Sequence, residues 1–159
     1  MTVTLKFNKD ESYFPLAGKP DDPFDDNFKL VVIAEVTAAQ TFNLGIVVLW
    51  KGVAYLIHEE PLDFKETGTY KLPFVWASET SPTIGDFIQT FGEDIPKETT
   101  EYSYSWMVGE VLDSMMSVHD EWPTSLLVEI VPFPWEKVIL GTGVAIGALG
   151  LGYVALKRR

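Results

Sequence analysis

The sequence predicts a mainly β protein. The expected fold is an antiparallel β-sandwich of about seven strands with one or two short helices, followed by a single C-terminal transmembrane α-helix. Three observations predict it. Apolar runs that alternate or are rich in β-branched residues recur through the first 131 residues, with turn signals between them. No β–α alternation of the kind that builds a parallel sheet is present. Near the end, nineteen consecutive residues carry no charge, Val138 to Leu156. The expected organisation is an acidic sandwich domain over 1–131, a short Pro/Trp link over 132–137, a membrane helix over 138–156 and a basic tail over 157–159.

The elements follow in order. Residues 2–8 alternate, with Val3, Leu5 and Phe7 on one face, and predict a half-buried strand. Residues 9–27 hold three prolines and an acidic run, and predict a loop. Phe28–Ala38 and Phe42–Trp50 predict strands, being rich in Val and Ile. Lys51-Gly52 predicts a two-residue hairpin turn into a strand over Val53–His58. Glu66-Thr67-Gly68 predicts the next turn, before a run in which Tyr70, Leu72, Phe74 and Trp76 share a face. Pro73 lies inside that run and cannot donate to a ladder, so the strand is expected at an edge or bulged.

Ser81 as N-cap and Pro82 at the first helical position predict a short helix. Ile84, Phe87, Ile88 and Phe91 form its apolar face, and Gly92 is its stop. Residues 101–119 fit two patterns. Tyr102, Tyr104, Trp106 and Val108 alternate as in a strand, whereas Tyr104, Met107, Val108, Val111, Leu112 and Met115 fit a helix. The reading adopted is a strand to Val108 and a short helix from Glu110 to Val118. Ser125–Val131 is expected to be the last strand.

As a helix, Val138–Leu156 would measure roughly 28 Å, close to the hydrocarbon thickness of a bilayer. Five of its residues are glycine, which in water would weaken a helix by about 1 kcal/mol each relative to alanine. In lipid the helix is enforced, because unpaired backbone groups have no water to bond. Trp135, Lys137, Tyr153, Lys157, Arg158 and Arg159 flank the run as membrane-interface residues. Gly143, Gly147 and Gly150 share one helical face and suit close packing against another transmembrane helix. The beginning of the chain has no basic start followed by a continuous apolar run, so no signal peptide is read. The expected location is therefore a membrane, single-pass, with the domain on the side of synthesis, although a basic tail prefers the cytoplasm.

Charge narrows the partners. From Met1 to Trp135 there are eight Lys, no Arg and 22 acids, a balance of −14. Nucleic acid is not an expected partner, since its phosphates need a basic surface. The absence of cysteine excludes disulfides, thiolate metal sites and thiol catalysis. His58-Glu59-Glu60 and His119-Asp120-Glu121 would suit a divalent metal only if the fold joined them. That arrangement is the basis of the least favoured reading, an anchored metal-dependent hydrolase. The run Asp21, Asp22, Asp25, Asp26 offers oxygen ligands of a weak calcium site but lacks the alternation of an EF-hand loop. No nucleophile elbow or phosphate-binding glycine motif is present. An enzyme is not expected, nor a cofactor. The expected partners are the lipid bilayer and other protein subunits. The expected role is structural, in an assembly such as a lipid-containing virion or a cellular membrane complex. The alternative is a cell-surface adhesin or receptor-type domain assisted by calcium.

Overall fold

The computed structural model describes residues 2–76, 82–130 and 153–158. The fold is mostly β. Its strands are β1 Val3–Phe7, β2 Ala17–Gly18, β3 Leu30–Val36, β4 Gln40–Trp50, β5 Val53–Phe64, β6 Gly68–Phe74, β7 Thr100–Leu112, β8 Met115–Val128 and β9 Tyr153–Arg158. Among the described residues, one α-helix, α1, spans Ile84–Thr90, and one 3₁₀ turn covers Asp25–Asn27. A smaller sheet has the order β1-β3-β6 and a larger one the order β2-β8-β7-β4-β5-β9. Pairing is antiparallel except between β2 and β8 and between β5 and β9.

The alternation in β1 is realised, with Val3, Leu5 and Phe7 all buried. The hairpin turn between β4 and β5 falls at Lys51-Gly52, both with positive φ (48° and 82°), the backbone that a tight two-residue hairpin loop demands. Pro73 sits in β6, which among the described residues is an edge strand of the smaller sheet, paired to β3 alone. Tyr70, Leu72, Phe74 and Trp76 pack against the core shared by the two sheets. That core carries Leu5, Leu30 and Val32 from the smaller sheet and Trp50, Tyr104, Trp106 and Leu126 from the larger. Such a two-layer arrangement fits a β-sandwich.

As an edge strand, β1 would leave outward N–H groups unpaired. Two consecutive side chains of β8 satisfy those of Leu5 and Phe7. The Leu5 N–H donates to His119 Nδ1 at 3.2 Å and the Phe7 N–H to Asp120 Oδ2 at 2.9 Å. These two bonds tie the smaller sheet to the larger by polar contacts as well as by burial.

The helix is where the apolar period placed it, and Ile84, Phe87, Ile88 and Phe91 all enter the core. Its start differs. Thr83 is the N-cap, with its side chain accepting from the Asp86 N–H while the Asp86 carboxylate accepts from the Thr83 N–H. This reciprocal pair fixes the first turn, so Pro82 precedes the cap, and Ser81 lies outside the described residues. Gly92 (φ 87°) follows the end as expected.

The helix expected over Glu110–Val118 is replaced by a hairpin. β7 continues to Leu112, the chain turns at Asp113 (φ 57°), and β8 begins at Met115. Tertiary pairing decides this: Val111, Met116 and Val118 bury on one face of a ladder that a nine-residue helix could not form. β8 then runs on to Val128 and absorbs most of the strand expected from Ser125; Val131 lies outside the described residues. β2 forms within the predicted 9–27 loop, where backbone bonds Leu127 N–H to Leu16 O and Glu129 N–H to Gly18 O hold it to β8.

Most of the predicted membrane span, 138–152, lies outside the described residues, as does the link over 132–137. The final four residues of the span, Tyr153–Leu156, are extended in β9 where the sequence pattern predicted helix. Among the described residues, no helix is long and apolar enough to cross a membrane.

Candidate strand-accepting site

The sequence Gly45-Ile46-Val47-Val48-Leu49-Trp50 in β4 is apolar at every position. Because strand side chains alternate, such a strand needs cover on both faces. Ile46, Val48 and Trp50 join the core between the sheets, while Val47 and Leu49 bury on the opposite, outer face. There they meet Ala54 and Leu56 of β5, Met107 and Val111 of β7, and Met116 and Val118 of β8.

The larger sheet curls to enclose this second cluster. The β4–β5 register shifts between Ile46 and Val47, and the β7–β8 register between Val108 and Gly109. Such bulges raise local twist and bend a strand. Glycine permits the close approach at both turns of the curl. A Cβ on Gly45 would lie 2.4 Å from Val111 Cγ2, and one on Gly109 would lie 1.9 Å from the Ser117 carbonyl oxygen.

β9 completes the enclosure. It pairs antiparallel with β8, Met115–Ser117 against Tyr153–Ala155, and parallel with β5, Ala54–Leu56 against Leu156–Arg158. Strands β8-β7-β4-β5-β9 therefore form a closed circuit of pairings. The Leu156 N–H donates to Ser114 O at 2.9 Å, and the Leu156 side chain packs on the second cluster. The Lys157 ammonium lies 5.6 Å from the centroid of the Tyr55 ring, a cation–π distance. A short segment with Leu156 as an apolar anchor and a basic end thus fills a slot between two strand edges of an acidic domain. A groove of about 550 Å³ opens elsewhere, among Thr41, Asn43, Leu62, Asp63, Glu110 and Leu112.

Electrostatics mark other places. Burial lowers the His119 imidazole below its ordinary value, and nearby Glu110 offsets this in part. Because the Leu5 N–H donates to Nδ1, that nitrogen carries no proton in the folded state. Burial alone would raise the Glu93 carboxyl; hydrogen bonds from Lys51 and from the Trp50 indole outweigh it and hold Glu93 below the usual carboxylate value. Burial holds the Tyr104 hydroxyl far above the ordinary phenol range, and the Trp106 side chain relieves it slightly.

The predicted site residues fall as follows. Trp135, Lys137, Gly143, Gly147, Gly150 and Arg159 lie outside the described residues. Tyr153, Lys157 and Arg158 belong to β9. His58 contacts Glu60 at 3.1 Å, whereas His119 serves β1. The Asp22 carboxylate accepts from the Lys19 N–H at 2.8 Å, and Asp25 and Asp26 lie in the 3₁₀ turn. Among the described residues, no three His, Asp or Glu side chains gather as a metal site would require. Sequence reasoning missed the slot and β9. The available signal was the two-sided apolar run in β4, which asks for a cover that a simple two-layer sandwich does not supply.

No protein-family model matches this chain, and no curated protein matches it. A solved structure that it resembles is the CARDB domain of the PF1109 protein from Pyrococcus furiosus in complex with di-metal ions. The two are 12% identical, the match covers 82% of this chain and 93% of that one, and the TM-score is 0.38. A likeness that loose transfers neither topology nor metal binding.

Proposed function

We propose that this is a non-enzymatic structural protein that docks its acidic β domain onto a larger membrane-associated assembly, with residues 138–156 as the bilayer anchor. A lipid-containing virion and a cellular membrane complex are both settings that fit. The observation that carries the docking half is the slot between β5 and β8. The domain holds a short extended segment by strand pairing, the packed Leu156 side chain and a cation–π contact, the means by which sheet edges recognise other chains. The anchor half rests on the sequence of the uncharged run and its aromatic and basic flanks.

Quantitative composition of the native membrane fraction tests this reading. After mild detergent extraction the protein should co-fractionate with other subunits at a fixed ratio, and without detergent it should remain with the membrane through a carbonate wash. Recovery as a free monomer at every detergent dose would overturn the assembly role. Release by carbonate would overturn the anchor.

A further inference from the structure

We infer that β9 and the membrane anchor are two alternative states of the same residues, so that the domain's slot and the bilayer compete for Tyr153–Leu156. The inference rests on the anchor reading above. In the structure these four residues are extended and paired to β8 and β5. The anchor needs them as the last turn of a helix. With β9 docked, the uncharged run that remains is 138–152, fifteen residues. As a helix that remainder would measure roughly 22 Å, against a hydrocarbon core of about 30 Å. Adding Tyr153–Leu156 restores the span. A docked β9 therefore leaves the run too short to cross, and a crossing helix empties the slot.

Each state has its own stabilisation. In water, β9 covers the second cluster with Leu156 and places Lys157 over Tyr55. The acidic domain also favours a basic end electrostatically, since residues 1–135 carry a balance of −14 and the last three residues carry +3. In a bilayer, the same Leu156 and Tyr153 gain lipid and interface, and Lys157 and Arg158 gain headgroups. Insertion must then strip β9 from the edges at Ala54–Leu56 and Met115–Ser117 and uncover the second cluster.

A disulfide lock tests the exchange on the full chain, which has no native cysteine to compete. Met115 and Ala155 are register partners, and both are exposed. Because the neighbouring pair is hydrogen-bonded through the Leu156 N–H and Ser114 O, Met115 and Ala155 form the non-hydrogen-bonded pair. Such pairs have Cα atoms about 4.5 Å apart, within the range that a disulfide bridges. The variant is Met115→Cys with Ala155→Cys, and the control is Ala155→Cys alone. Each is mixed, oxidised or reduced, with vesicles of phosphatidylcholine containing a fifth of phosphatidylglycerol, and the floated fraction is measured.

The expected result is an intrachain disulfide in aqueous solution and a floated fraction that oxidation lowers roughly tenfold or more, with full recovery on reduction and no redox effect in the control. Equal flotation of the oxidised and reduced double variant would overturn the competition while leaving the anchor reading intact. Flotation of neither form would overturn the anchor reading itself, and the exchange with it, while the disulfide would still identify β9 as the closing strand. Failure to form the disulfide would show that β9 is not docked in solution. A disulfide-linked dimer would show that a second copy fills the slot. Either of those two results overturns the inference.

Discussion

The two faces of the larger sheet are covered in different ways. The inner face is broad and is covered by a second layer, the smaller sheet with α1. Large flat side chains fill that gap: Trp50, Tyr104 and Trp106 lie among Phe24, Phe28 and Phe87, and the Phe24 and Phe87 rings stack at 4.1 Å. Among the described residues, the outer face has no second sheet. It curls at two bulges and two glycines until β9 can close it, and it is filled by small or adaptable side chains, chiefly Val, Ala, Leu and Met. A flat face buries area by acquiring a partner layer, which favours aromatics. A curled face buries area by closing on itself, which favours short side chains and thioethers that fill irregular space.

The largest effect should come from the inner face. Trp106 is fully buried, so Trp106→Ala should cost about 3–5 kcal/mol and lower the melting temperature by roughly 10 °C, measured by calorimetry. A loss smaller than that of any outer-face variant would reverse the comparison. Next comes the curl. Gly109→Ala places a methyl against the Ser117 carbonyl, where only backbone movement gives relief, and should cost about 1–3 kcal/mol. Its loss should appear together with faster amide exchange in Met115–Ser117; unchanged exchange there would mean that the bulge is not what lets the outer face close.

A smaller effect is expected where cover is a single side chain. Leu156→Ala removes the described cap of the second cluster and should cost about 1–2 kcal/mol in denaturant unfolding, with little change when the Trp106→Ala background is used, because the two clusters lie on opposite faces. Strong non-additivity would mean that both faces share one core.

The smallest effect is a pH response at the tether between the sheets. His119 is lowered in the folded state from an ordinary value of 6.5. Above that value both folded and unfolded chains hold it neutral, and its contribution is complete. As pH falls below 6.5 the unfolded chain takes up the proton first, so stability declines until the folded value is passed. Melting temperatures between pH 7 and 5 should therefore fall for the natural chain and stay flatter for His119→Gln, whose amide oxygen accepts the Leu5 N–H without titrating. Parallel slopes for the two chains would remove His119 as the cause.

Much of the β fold was legible before the structure. The turns at Lys51-Gly52 and Gly68, the edge position of Pro73 and the helix face from Ile84 to Phe91 rest on local rules: positive φ, a missing donor, a 3.6-residue period. Where two local rules competed, the outcome was not legible. Residues 110–118 fit a helix as well as a strand, and the ladder to the second half of the hairpin decided. The candidate site was the least legible part, because its slot is made of residues 54–56 and 114–117 and is filled by 153–158, all far apart in the chain.

By itself the sequence determined the class of the fold and which residues needed burial, because period and turn chemistry act within a few residues. It also determined that β4 is apolar on both faces and that an uncharged run up to Leu156 is followed by Lys157 and two arginines. Only the tertiary structure decided what covers the outer face and that Tyr153–Arg158 are extended. The physical reason is that a six-residue apolar and basic segment has nearly equal local preference for helix and strand. Its conformation is set by what can satisfy its backbone, and in the structure that is supplied by two strand edges distant in sequence.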